Sequence, residues 1–258
     1  MAKILLEKKG KIAYIILNRP KVNAFDFEMV GELHNIWDDF RDDDNLWVAI
    51  LTGAGNVFSA GFDIEEFLPV VKESSYRWRM SSMFGDKATS PVAHSLWKPI
   101  VGAFDGFVNG AGLMIAFGCD IRIATKETKF GLAEIKIGCP VEFAAVMTRY
   151  MPQAIVNEML LTGKSITAER AYNVGLINKV VSREELMPEA TAIANTVCEG
   201  GPMSARVMKE LVHRGWDLDW DSALALCASM CVPALNSKEA KEGLSAFVEK
   251  RKPMWKGK

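Results

Sequence analysis

The sequence has no surplus of charge to offer a polyanion. Thirty-one lysines and arginines face 32 aspartates and glutamates, a formal net charge of −1 over 258 residues. No whole-surface positive field exists to hold a nucleic-acid backbone, so nucleic acid is not the expected partner. Cysteine is scarce and unpatterned. Cys119, Cys139, Cys198, Cys227 and Cys231 are odd in number and form neither a CxxC pair nor a disulfide framework. They read as reduced thiols of a cytoplasmic protein. His34, His94 and His213 stand far apart without partners at metal-ligand spacing, and no metal is expected. The opening MAKILLEKKGK lacks the apolar core of a signal peptide. The most apolar stretch, Ile100 to Cys119, is broken by Asp105, Asn109 and five glycines, which rules out a membrane span.

What is present is the composition of a soluble globular protein, 49% hydrophobic and 24% charged, long enough for a sizeable core. Ile12–Leu17 and Trp47–Leu51 are short runs of β-formers closed by Asn18-Arg19-Pro20 and Gly53-Ala54-Gly55, the pattern of strands buried on both faces. Between them Val30, Leu33, Trp37 and Phe40 recur at spacings of three and four, one apolar face of a helix. Runs at Pro99–Phe104 and Ile121–Thr125 flank a glycine-rich segment with a helical stretch from about Leu113 to Gly118. Strand, helix, strand, repeated, predicts an α/β fold with a mostly parallel sheet. Past about Glu142 the β signal fades. MPQAIVNEMLLTG, ITAERAYNVGL, the Ser182–Glu185 capping box and SKEAKEGLSAFVEKRK predict helices.

Three segments carry candidate chemistry. Asn56 to Asp63 (NVFSAGFD) follows a buried strand and precedes a helical run. Asp63 is a natural N-cap there, and small residues expose the backbone amides near Ala60 and Gly61. Asp105 to Gly112 (DGFVNGAG) again joins strand to helix, where unpaired N–H groups suit an oxygen that becomes negative. Its spacing is neither that of a dinucleotide fingerprint nor that of a phosphate loop. Lys129 to Glu142 holds two carboxylates, Glu134 and Glu142, eight residues apart among apolar neighbours. Such surroundings raise a carboxyl pKa toward the range useful for proton transfer. The alternatives are that Glu134 pairs with Lys129 or Lys136 and that Glu142 merely opens a helix.

Together these segments resemble the crotonase (enoyl-CoA hydratase/isomerase) superfamily over nearly the whole chain. The motifs that carry the resemblance are LNRP-x-x-NAF, LTGAG-x-x-FSAG-x-D, KPIVGAFDGFVNGAG with CDIRIAT, FGLAEIKIG, LLTGKSITAERAYNVGLINKVV and FVEKRKP. The resemblance implies a crotonase-like spiral of ββα units over residues 1–195 and a helical C-terminal trimerisation module over 196–258, assembled as a homotrimer or a dimer of trimers. It implies an acyl-CoA thioester substrate and no other cofactor, coenzyme A entering as part of the substrate. The amides of Ala60 and Ala111 fall at the oxyanion-hole positions. Ser59, Ala60, Phe62, Asp63, Ile64 and Lys250 fall where relatives contact CoA. The segment from Lys72 to Ser90 matches the cover of the acyl pocket, where Tyr76, Trp78, Met80, Met83 and Phe84 suit a bulky or cyclic acyl chain or, equally, an interface.

The chain departs from the family at one point. Hydratases carry two glutamates, and the first position is Met114 here, a thioether that cannot carry a proton. The second is kept as Glu134, and Glu142 matches an additional carboxylate of dienoyl-CoA isomerases. The expected activity is hydration, dehydration or double-bond isomerisation of an unsaturated acyl-CoA, with Glu134, alone or with Glu142, as acid and base. C–C cleavage, decarboxylation and thioester hydrolysis are the rival reactions, and a non-catalytic acyl-CoA- or RNA-binding protein is the rival from another class.

Overall fold

The computed structural model describes residues 2–72, 95–141 and 143–257. A six-stranded sheet runs in the order β1-β2-β3-β4-β6-β9, formed by Ile4–Lys9, Ile12–Leu17, Val48–Gly53, Ile100–Phe104, Ile121–Thr125 and Lys179–Val181. The β1–β2 pair is antiparallel and the remaining pairs are parallel. The apolar runs are continuous because both faces of the sheet are covered. Ala49, Leu51, Ile100 and Phe104 point into one core, while Val48, Ile50, Val101, Ala103 and Ile123 point into another. Burying each of the larger side chains is worth about 1.5–3 kcal/mol.

Helices cover the two faces. α1 (Phe27–Asp42) is started by Asp26, whose carboxylate accepts the Met29 N–H, and its stripe of Val30, Leu33, Trp37 and Phe40 is buried in the first core. Its last carbonyls are met by the buried Lys98, whose Nζ donates to the oxygens of Phe40 and Asp43. α2 covers Ile64–Lys72 and α3 covers Ala111–Phe117, followed by α4 (Gln153–Thr162) and α5 (Ala168–Asn173). On the opposite face α6 (Arg183–Glu199) lays Leu186, Ala190 and Ala194 across β3, β4 and β6. It opens with the Ser182–Glu185 capping box expected from the sequence. α7 (Pro202–Gly215), α8 (Trp220–Leu235) and α9 (Lys238–Val248) complete the C-terminal part. The expected division between residues 195 and 196 falls inside α6. Among the described residues no helix is long and apolar enough to cross a membrane.

A second sheet of three short strands runs β5-β7-β8, formed by Phe107–Asn109, Lys129–Gly131 and Ile166–Thr167. Val108, Phe130 and Ile166 face its buried side. The stretch from Ile166 to Val181 corrects the helical expectation for the C-terminal part. Only Ala168–Asn173 is helical there; β8 pairs with β7, and β9 joins the main sheet at β6.

The parallel pairing of β3 with β4 places the site. Thr52 lies opposite Ala103, so both strands end at the same edge and the two turns that follow them emerge side by side.

Candidate active site

The two turns are knitted together by backbone bonds. Phe58 and Ser59 donate their N–H groups to the carbonyls of Asp105 and Phe107 at 2.7 and 2.9 Å, and Asn109 returns one to Ser59 at 3.0 Å. Gly61 then turns under the second segment. A Cβ there would stand 3.2 Å from the Asn109 carbonyl oxygen and 3.6 Å from the Ala111 nitrogen, so the turns carrying Ala60 and Ala111 are in contact. Ala111 is the buried first residue of α3, and its N–H lies where a helix has no internal acceptor. Ala60 is exposed, and its N–H donates to the Val22 carbonyl at 2.9 Å.

Glu134 leaves β7 through a single 3-10 turn, Glu134–Ile137, which Gly138 closes. Its Oε1 lies 2.7 Å from the position a Cβ would take on Gly110, the residue before Ala111. Its Oε2 is enclosed and has no hydrogen-bond partner among the described residues. Burial raises the carboxyl above the ordinary carboxylate range, partly offset by the backbone N–H groups of Glu134 and Ala133. The pairing with Lys129 or Lys136 is not formed: Glu134 makes no ion pair among the described residues, and Lys136 packs its stem against Gly163. Met114 is half-buried in α3, three residues after Ala111 and so on the same side of the helix, and packs on the first core.

The other expected residues divide by what their side chains already do. Asp63 accepts from Arg19 Nη2 at 2.5 Å and from the Glu65 N–H at 3.1 Å, and the Arg19 guanidinium holds it below the usual carboxylate range. Phe62 is half-buried and stacks on Phe67 at 4.6 Å. Ile64 is exposed. Ser59 is fully buried, with its hydroxyl spent on protein partners. Lys250 is exposed just after α9 in a left-handed conformation, φ 54°. Glu142 and the residues expected to line the acyl pocket, Tyr76, Trp78, Met80, Met83 and Phe84, lie outside the described residues.

Sequence reasoning missed Asn23. It sits in the NAF motif with 2% exposure and φ 49°, a conformation Asn tolerates better than most residues. Its Nδ2 donates to the carbonyls of Ala54 and Val57 at 3.1 and 2.9 Å, and its Oδ1 accepts from the Arg19 N–H. The signal available was an amide side chain just past Pro20, able to cross-link two stretches of backbone.

Two neighbouring turns with amides at the mouth of a parallel sheet, and a desolvated carboxyl beside them, define a site suited to a carbonyl substrate that exchanges a proton. The sequence pattern of the enoyl-CoA hydratase/isomerase family matches residues 7–258. The short-chain-enoyl-CoA hydratase of Clostridium acetobutylicum is 33% identical over 96% of this chain and 95% of that protein. The (E)-benzylidenesuccinyl-CoA hydratase of Thauera aromatica is likewise 33% identical, over 98% of this chain and 99% of its own. The crystal structure of an enoyl-CoA hydratase from Bacillus anthracis superposes with a TM-score of 0.90 at 28% identity, covering the whole of both chains. The chain belongs to the enoyl-CoA hydratase/isomerase family, has the crotonase fold with its C-terminal helical module, and is an enzyme of that type.

Proposed function

We propose that the enzyme binds an unsaturated acyl-CoA and polarises its thioester carbonyl between the N–H groups of Ala60 and Ala111. Glu134 then moves the proton for hydration or dehydration across the double bond. The observation that carries this reading is the Glu134 carboxyl, desolvated and set against Gly110 at the start of the turn that delivers the Ala111 amide. A carboxyl held above the ordinary carboxylate range keeps its proton more readily, and so can both accept one and return it. Negative charge that develops on the thioester oxygen is stabilised by donors fixed in advance, each worth a few kcal/mol in the transition state. The thioester oxygen takes or shares the Ala60 N–H that Val22 now holds. Coenzyme A arrives with the substrate, and these steps draw on no further cofactor.

On the same reading Phe62, Ile64 and Lys250 contact CoA, Asp63 secures the turn beneath it, and Met114 lines the acyl pocket. The aryl group in the name of the Thauera aromatica relative supports a bulky or cyclic acyl chain. The apolar side chains left exposed on α8 and α9, Trp220, Leu224 and Phe247 among them, support assembly as a homotrimer or a dimer of trimers.

Isomerisation is the second reading, and Met114 favours it. A site whose first glutamate is a thioether keeps one proton carrier at Glu134, which suffices to lift a proton from one carbon and return it to another. A panel of enoyl-CoA thioesters followed by mass spectrometry separates the cases. Gain of water marks hydration, an unchanged mass with a shifted double bond marks isomerisation, and free CoA marks thioester hydrolysis. No product from any member, with tight binding retained, rejects the catalytic assignment of Glu134.

A further inference from the structure

We infer that the cleft between α7 and the main sheet is a second binding site, which takes a small amphiphile with a carboxylate head and an apolar body. The inference is independent of the active-site reading. The cleft measures about 630 Å³ and is lined where β4 and β6 begin, by Pro99 and Ile121. The two turns of the active site leave β3 and β4 at their other ends. A volume of this size is typical of small-ligand pockets. Phe117, Tyr150, Met208, Val212 and Trp216 give it apolar walls. The aromatic rings among them are packed on one another: Tyr150 stacks on Phe117 at 4.4 Å and meets Trp216 edge-on at 5.5 Å.

The charges set into these walls do not balance. Lys209 pairs with Asp120 at 2.8 Å, and Arg149 pairs with Asp217. Asp120 also accepts the Ile100 N–H at 2.7 Å, and Lys209 also donates to the Lys98 carbonyl at 2.9 Å, so that pair is spent on holding α7 to the sheet. His213 stands 3.6 Å from the other Asp120 oxygen. Arg122 is left over. Its Nε donates to the Leu176 carbonyl at 2.6 Å and its Nη1 to the Cys119 carbonyl, while Nη2 has no acceptor and no carboxylate lies within ion-pair reach among the described residues. Carbonyl oxygens orient a guanidinium without neutralising it. Burial works against the Arg122 charge and lowers its pKa from the ordinary value, and an enclosed guanidinium ordinarily has an anion at its fork. The Arg122 guanidinium lies 5.7 Å from the centre of the Tyr150 ring, whose hydroxyl also has no hydrogen-bond partner among the described residues. A carboxylate at Arg122 supplies the missing charge through paired hydrogen bonds, and the apolar walls beside it take the rest of the same molecule. A phosphate suits the cleft less well, because a dianion exceeds the one uncompensated cation.

The test is calorimetry with decanoate on the intact protein, its active site first filled with butyryl-CoA, a saturated thioester. The expected result is saturable binding of one decanoate per chain, with an affinity that the thioester does not change. Decanamide, the uncharged counterpart, is expected to bind at least about tenfold more weakly for want of the charge-assisted pair. Val212→Glu sets a carboxylate at an exposed position of the cleft wall and is expected to weaken decanoate binding by at least about tenfold. Arg122→Lys is expected to do the same, since an ammonium cannot present the planar fork. Absence of saturable binding overturns the inference. So do displacement by butyryl-CoA, which places decanoate in the acyl pocket, equal binding of decanamide, and full affinity in Val212→Glu. Sedimentation of Val212→Glu covers the remaining occupant, a second copy of the chain: an oligomeric state lower than that of wild type makes the cleft a contact between copies and overturns the inference as well. Should Arg122→Lys not fold, as judged by circular dichroism, the decanamide comparison and Val212→Glu decide the matter without it.

Discussion

The Glu134 carboxylate and Gly110 are in mutual contact: Oε1 lies 2.7 Å from where a Cβ on residue 110 would be, and Gly110 holds φ 52°. An alanine at 110 therefore meets both a left-handed backbone and an occupied space. Gly110→Ala is expected to destabilise the fold by about 1 kcal/mol or more through strain. By displacing the carboxyl it is expected to lower kcat by about 10²-fold. Thermal melting and kinetics on the same preparation check both numbers, and full activity removes the contact from the mechanism.

Replacing Glu134 by Gln tests the proton carrier itself. Turnover is expected to fall by about 10²- to 10⁴-fold, the usual range for a lost general acid or base. The pH dependence carries a sign. Burial raises this carboxyl in the folded state, so the native protein holds the proton to higher pH than the unfolded chain does. The stability it contributes is complete below the unfolded carboxylate pKa and is lost as pH rises through the folded value. Wild type should lose stability over that window while Glu134→Gln does not, and the basic form of the enzyme should gain activity through the same window. Melting curves from pH 4 to pH 8 give the answer; parallel curves for the two proteins contradict it.

Met114→Glu restores a carboxylate on the same side of α3 as Ala111. Two facing carboxyls repel, so one is driven up in pKa and titrates as part of a pair. Hydration of crotonyl-CoA is expected to rise by about tenfold or more, with a second limb in the pH–rate profile. A variant that folds and gains neither shows that position 114 lies away from the reacting carbons.

Trp220 and Leu224 lie one turn apart on α8, 78% and 51% exposed. Trp220→Glu combined with Leu224→Glu places two charges in the proposed subunit contact. Sedimentation is expected to show trimers or hexamers for wild type and monomers for the double variant. A wild-type monomer refutes the assembly.

Much of the frame was legible in the sequence because it is written locally. The stripe Val30, Leu33, Trp37 and Phe40 needs only its own spacing to announce α1, and β2 runs over the very residues, Ile12–Leu17, that its composition marks out. The strands that escaped are those whose existence depends on a remote partner. Lys179–Val181 is three residues long and becomes β9 only because β6 offers an open edge, with Ile123 opposite Lys179. Ile166–Thr167 is a strand for the same reason, against Phe130 and Lys129. At the site, the glycine-rich turns and Glu134 were visible as motifs. The work of Asn23 was not, because its hydrogen bonds reach 31 and 34 residues along the chain. Nothing in the local pattern around Ser59 distinguishes a side chain facing a ligand from one turned wholly inward.

The Ala60 N–H already has an acceptor in the Val22 carbonyl. On the proposed reading a thioester oxygen would reach this amide only by displacing that peptide oxygen, and the net affinity at that point would reflect only the difference between two carbonyl acceptors.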